Sequence, residues 1–280
     1  IAAWQLQDAT RYHAFRRIRA NCRRAGYRCE RHNKPMRFNR LLMPTWRLAS
    51  RAARDIEFAV IPRRCAFCGV SRKREQPAIC AGCAADLPWI SEQGPGCARP
   101  LAAKPDDGVL CAGCQDRPPP FDGAAAPLAY EFPVDAAIRL FKFHRKLHYA
   151  TAFGELLCEA AADLPADIDA LLPVPLHWLR HGVRGFNQAA EICRPLQQAS
   201  GLPLIRNVSR IRQTPYQSGL RARERHRYLA GAFAVRGAIG ARHVLLIDDV
   251  ITTGETCSQL AHVLLAHGTQ KVSVLALARA

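Results

Sequence analysis

Apolar positions in the second half of the chain alternate between two periods. Ala125–Phe132 and Ala170–Val174 are short apolar runs that predict strands. Val244–Ile247 is a continuous apolar run, the pattern of a strand buried on both faces. Lys271–Ala278 predicts a last strand. Helical spacing lies between these runs. Val134, Ala137, Ile138 and Phe141 recur at intervals of three and four, and a second helix is expected over Ala150–Ala162. Asn187–Ser200 reads as a helix stopped by Gly201, and Thr256–His267 as one closed by Gly268. Strand and helix in alternation predict an α/β domain over 121–280, with a mainly parallel sheet flanked by helices. No tandem repeat is present. No run approaches the ~18 apolar residues of a membrane span.

The first 42 residues carry Arg, Asn, His and Gln with little apolar period, whereas Trp46, Leu48, Ala52, Ile56, Ala59 and Val60 are weakly helical. Charge changes at nearly the same place. Residues 1–64 hold 16 Lys and Arg against 4 acids, and 65–280 hold 24 against 19. The net charge of +17 is therefore concentrated in the first quarter, a basic N-terminal extension. The chain opens on Ile1 and its methionines are Met36 and Met43. The change of pattern predicts Met43 as the natural start, with 1–42 translated upstream sequence or a frayed extension. The competing reading is a basic arm that grips nucleic acid. The segment lacks the apolar core and cleavage site of a secretory signal. With 49% hydrophobic residues, the 280-residue chain is not wholly disordered.

Seven of the twelve cysteines fall between Cys65 and Cys114, in a stretch (65–120) rich in Gly and Pro. Cys65-x2-Cys68 and Cys80-x2-Cys83 form two knuckles, each offering two thiolates to one ion, and together they complete a tetrahedral zinc site. Cys97 and the pair Cys111-x2-Cys114 supply three more thiolates. They could take a second zinc with water or a carboxylate, share ligands with the first site, or bind nothing. Such a segment buries little core and needs a metal staple. Free thiols of this kind predict a reducing, cytoplasmic location. Cys158, Cys193 and Cys257 lie in helical stretches and read as small hydrophobes.

The most informative stretch is Val244–Thr256, where a buried strand runs into Asp248 and Asp249, then Thr252, Thr253, Gly254, Glu255 and Thr256 at the start of a helix. Loop amides and a helix N-terminus direct donors at an anion, the Thr hydroxyls add to them, and Gly254 permits close backbone approach. Two carboxylates would repel phosphate directly. They suit ribose hydroxyls or a Mg²⁺ that bridges to a diphosphate.

This stretch resembles the phosphoribosyl pyrophosphate (PRPP) motif of type I phosphoribosyltransferases. The cysteine knuckles, Pro118–Asp122, Leu172–Gln188, Thr214–Phe233 and the phosphate loop occur in this order. Over roughly residues 44–280, the chain is similar to the ComF family, a zinc ribbon joined to a phosphoribosyltransferase domain and linked to DNA uptake in natural competence. Two positions depart from that pattern: Pro100 stands where a cysteine would complete the second metal site, and Tyr228 replaces a usual Asn. The resemblance places Pro173–His177 at the pyrophosphate cradle, with the Leu176 and His177 amides as donors; a rigid turn is the alternative. Arg184 is a possible phosphate contact. Seven Arg lie between Arg206 and Arg227. The resemblance implies a closing hood there, in which Gln217, Arg221 and Arg225 would act, the arginines on the leaving pyrophosphate. Most of the cluster reads as a solvated basic face or a track for DNA phosphates.

Three functions are compatible with these residues. One is a ComF-type protein serving uptake of single-stranded DNA, in contact with that DNA or an uptake ATPase, and binding PRPP or a nucleotide with Mg²⁺. Aromatic residues are only 8% of the chain and scattered, so no stacking platform is legible. Another is a true phosphoribosyltransferase with an acceptor that the sequence does not identify. The third is a PRPP or nucleotide sensor carrying a zinc-ribbon interaction module.

Overall fold

The computed structural model describes residues 63–73, 76–103, 109–212 and 231–280. The readings of 1–42 and of the helical pattern after Met43 lie outside the described residues, as do those of Gln217, Arg221 and Arg225.

The described chain opens with strands β1 (Arg63–Arg64) and β2 (Ser71–Arg72), paired antiparallel, and short helices α1 (Ala81–Ala85) and α2 (Ala112–Asp116). Strands β3 (Gly123–Ala125) and β4 (Leu128–Ala129) precede α3 (Val134–His144) and α4 (His148–Ala160). Next come β5 (Ala170–Pro173), α5 (Trp178–Arg184) and α6 (Gln188–Ser200). β6 (Val208–Arg210) and β7 (Phe233–Val235) pair antiparallel. β8 (His243–Ile251), α7 (Glu255–Ala266) and β9 (Lys271–Arg279) complete the chain.

The main sheet is parallel, in the order β3-β9-β8-β5, with β4 continuing β3 along β9. It is flanked by helices, as the alternation of strand and helix requires. Successive residues of a strand face opposite sides. Leu245, Ile247, Leu275 and Leu277 therefore join Phe141, Phe153, Leu157 and Ile192 of α3, α4 and α6. Val244, Leu246, Val272 and Val274 join Cys257, Leu260 and Leu264 of α7. Both faces are buried, which explains the unbroken apolar runs.

Three elements differ from expectation. The strand expected over Ala125–Phe132 is split at Pro127, which has no N–H for the ladder. Phe132 is 81% exposed and lies outside the strand. Val244–Ile247 is only part of β8, which continues through Asp248 and Asp249 to Ile251, so the carboxylates belong to the strand rather than the loop. Helix α5 was not legible because its apolar residues, Trp178, Leu179 and Val183, are exposed.

The cysteine-rich segment packs on the sheet instead of standing alone. Ala129 N–H donates to Pro88 O (2.8 Å), Ile90 N–H to Pro127 O (2.9 Å) and Ala124 N–H to Pro95 O (2.9 Å). These bonds cover the β3–β4 edge, which would otherwise be open to other strands. Ala78 N–H donates to the Glu155 carboxylate of α4 (2.7 Å), and Cys65, Ile79 and Leu87 belong to the core that holds Phe153.

Helices α4 and α6 meet where Gly154 faces Pro195. A Cβ on Gly154 would lie 2.4 Å from Pro195 Cγ and 2.9 Å from Ile192 O. Gly→Ala inside a helix ordinarily stabilises by up to about 1 kcal/mol. Here the sign reverses: Gly154→Ala is expected to destabilise by about 1–3 kcal/mol, read as a lower denaturation midpoint at unchanged m-value.

Candidate functional site

Four sulfurs, those of Cys65, Cys68, Cys80 and Cys83, lie within 4.8 Å of one another, and so do those of Cys97, Cys111 and Cys114. A Zn–S bond of about 2.3 Å implies tetrahedral S···S edges of about 3.8 Å. The Cys68–Cys80 separation of 3.6 Å and the Cys97–Cys111 separation of 3.5 Å fit such edges. Two separate clusters form, so the knuckles are not interleaved. Burial alone would raise the Cys65 thiol, but backbone N–H groups of Cys68, Cys80 and Phe67 outweigh it and bring it down to about 6. Burial, then hydrogen bonds to Cys97 and Cys111, pushes Cys114 up to about 12. Thiols gathered this closely lose their protons to a dication that binds them. Both clusters can hold zinc, the first with four thiolates and the second with three. Cys158, Cys193 and Cys257 are buried, and burial pushes the first two thiols up to about 12.

The loop expected from the sequence to bind phosphate sits at the C-terminal edge of the central strand, where α/β folds place ligands. Gly254 caps α7 in the left-handed region (φ 78), and a Cβ there would meet nothing within 4 Å, leaving open space over the loop. Thr252 and Thr253 are exposed; Glu255 and Thr256 form the half-buried first turn of α7. Asp248 Oδ1 accepts from the Asp249 N–H (2.8 Å). Burial and the adjacent Asp249 push the Asp248 carboxyl up to about 8, with Lys142 acting against them.

Lys142 of α3 was not singled out by the sequence, yet its Nζ lies 2.6 Å from Asp249 Oδ2. Burial opposes its charge, but Asp249 and then Asp248 outweigh the burial and raise its pKa. The signal was available: Lys142 follows Ile138 by four residues, at the margin of the buried stripe of α3. Among the described residues of the Arg cluster, Arg210 of β6 is brought near Asp248. Burial and Arg180 lower its pKa while Asp248 offsets them.

The Pro173–His177 segment follows β5 at the same edge. His177 is buried and caps α5, its Nδ1 accepting from Leu179 N–H (3.3 Å); Leu176 is half-buried. This is a packing and capping role. Arg184 ends α5, stacks over Phe143 at 5.1 Å and acts electrostatically on Lys142. Asn187 caps α6 and also donates to Val174 O (3.0 Å). Gln188 beside it is buried, and its Nε2 has no hydrogen-bond partner among the described residues. A buried orphan donor next to this turn suits an anionic ligand.

Tertiary structure also gathers aromatic and cationic residues that the sequence scatters. Arg145 donates to Val183 O (3.3 Å), bringing the C-terminal end of α3 beside α5. Phe143 (53% exposed), Trp178 (68%) and Val183 (81%) face solvent there. Residues 139–148 and 178–185 contain six Lys and Arg and no acid.

Lys142→Met keeps most of the side-chain volume and leaves Asp249 without its counter-ion. A loss of about 1–3 kcal/mol at neutral pH is expected by chemical denaturation, since an uncompensated buried charge is costly.

No protein-family model matches the chain. It is 32% identical over 228 residues to the DNA utilization protein YhgH of Salmonella typhimurium, covering 78% of this chain and 98% of that protein. The YhgH protein of Escherichia coli (strain K12) is 31% identical over 228 residues, with the same coverage. Competence protein F of Haemophilus influenzae is 29% identical over 229 residues, covering 78% of this chain and 97% of that protein. With near-complete coverage of these relatives, the paired cysteine clusters and the parallel sheet, the chain belongs to the ComF family, the family of YhgH and competence protein F.

Proposed function

We propose that this chain binds PRPP, or a nucleotide of like chemistry, together with Mg²⁺, and serves uptake of single-stranded DNA in natural competence. The carrying observation is the carboxylate pair at the end of β8, opening directly onto a Thr-Gly loop and helix N-terminus where a Cβ on Gly254 would meet none of the described residues within 4 Å. Thr252, Thr253, Gly254 and Thr256 would hold the 5′-phosphate. Asp248, Asp249 and Glu255 would face the ribose or its Mg²⁺. The Leu176 and His177 amides, Arg184 and Gln188 would meet the diphosphate. Arg221 and Arg225 remain the residues proposed for the leaving pyrophosphate. In this reading residues 65–120 are a zinc-holding ribbon module and 121–280 the ligand domain.

The DNA role draws on the names of the relatives, a DNA utilization protein and a competence protein. The exposed aromatic–cationic face of α3 and α5 gives it a physical basis. Stacking platforms amid cations bind single strands without sequence preference. The proposed setting is the cytoplasm, with an uptake ATPase as a further partner. No described helix is long and apolar enough to cross a membrane.

Calorimetric titration of Mg–PRPP into the full chain tests the ligand. Micromolar affinity, about −8 kcal/mol, is expected, and it should be lost in Asp248→Asn/Asp249→Asn. Pyrophosphate release on adding acceptor bases or amines would make the protein a transferase; tight binding without release would make it a sensor or a repurposed fold. Absence of heat at millimolar Mg²⁺ would overturn the reading. For DNA, Trp178→Ala and Phe143→Ala are each expected to weaken binding of an oligothymidine by roughly 5- to 100-fold in fluorescence anisotropy at low salt. Unchanged affinity in both would remove this face from the DNA site.

A further inference from the structure

The second cysteine cluster and the phosphate loop are joined by one buried side chain. Arg279, near the end of β9, is only 4% exposed. Its Nε donates to the carbonyl of Cys97 (2.9 Å), a member of the three-sulfur cluster. Its Nη1 donates to Ile251 O (3.1 Å) and to Thr252 O, the carbonyls that lead from β8 into the loop. The sulfurs of Cys97, Cys111 and Cys114 are close enough to act on the guanidinium charge. A charged group placed between two backbone segments at hydrogen-bond distance transmits displacement from one to the other.

A second observation points the same way. Ala98, next to Cys97, is fully buried with φ 55, a left-handed conformation that an Ala adopts only when its surroundings impose it. Its N–H and that of Cys97 both bond to Gly94 O, at 2.8 and 3.2 Å. Ala98 also belongs to the buried cluster that contains Ile251, Val174 and Cys257. The knuckle is thus held in a strained shape and packed into the layer beneath the phosphate loop. A metal ion on the three sulfurs would hold it there.

We propose that zinc held by the Cys97–Cys111–Cys114 cluster orders the phosphate loop, with Arg279 as the positioning residue that links them. With three protein thiolates, this site leaves a fourth coordination position for water or a small thiol, and it releases zinc before the four-thiolate site does. The inference concerns the loop's order. It rests on the proposed ligand function only for its biological use.

The test follows zinc content and hydrogen–deuterium exchange in the full chain, with no ligand added. The protein as purified should hold about two zinc ions, and a chelator should remove about one of them first. That loss should speed exchange of the amides at 251–256 by roughly 5- to 150-fold, while amides of β5 and α6 stay protected. Cys111→Ser/Cys114→Ser should reproduce the change. Arg279→Gln should keep both ions yet show the fast loop, and adding the cysteine changes to it should speed the loop no further. Should the cysteine variant fail to fold, the chelator titration of the unaltered protein decides. Loop exchange indifferent to loss of the first zinc overturns the proposal, as does an equal increment with and without Arg279. Binding of no more than one zinc also overturns it. Failure of Mg–PRPP to bind would count against the proposed function and leave these outcomes unaffected.

Discussion

Two adjacent carboxylates at the end of a strand buried on both faces impose the main constraint on this fold. A lone carboxylate costs several kcal/mol to bury, so each must meet a partner or water. The period-two geometry of β8 turns successive side chains to opposite sides. Asp249 meets Lys142 from the α3 layer, while Asp248 sits where its charge reaches Cys257 of α7 and Arg210 of β6. Helix α3 is therefore fixed to the sheet by charge as well as by apolar packing, whereas α7 is held by apolar packing. A ligand that brings a divalent cation would compete with Lys142 for Asp249.

The cysteine-rich segment answers a second constraint. The β3–β4 edge of the sheet would expose unpaired backbone groups, and among the described residues the segment makes three backbone hydrogen bonds to it, with a fourth from Ala126 N–H to Gln93 Oε1. It shares a core with α4 through Cys65, Ile79 and Leu87. Arg279 ties this segment to the loop after β8, donating to Cys97 O on one side and to Thr252 O on the other.

The exposed face of α3 and α5 shows the limit of composition. Phe143 and Trp178 are far apart in sequence and unremarkable one by one. The Arg145–Val183 bond and the stacking of Arg184 on Phe143 bring their helices together. The result is a partly aromatic surface rich in Lys and Arg, of which Arg139 pairs with Asp135 and Lys142 with Asp249.

What the sequence determined was whatever depends on neighbours along the chain. Apolar runs in β8 and β9, the spacing in α3, the caps Asn187 and Gly201, the cysteine knuckles and the Asp-Asp to Thr-Thr-Gly junction are all local patterns, and each sits near where it was expected. Three-dimensional packing decided the rest. Lys142 lies 107 positions from Asp249, and its place at the margin of the α3 stripe does not say which charge it meets. Pro127 splits a run that reads as one strand. Val183 and Trp178 imitate core positions while facing solvent. Arg279 looks like the polar end of a last strand, yet it is buried between a cysteine knuckle and the loop after β8. Local propensity is set by covalent neighbours and their periodicity, whereas charge pairing and shared hydrogen bonds depend on which distant segments the fold brings into contact.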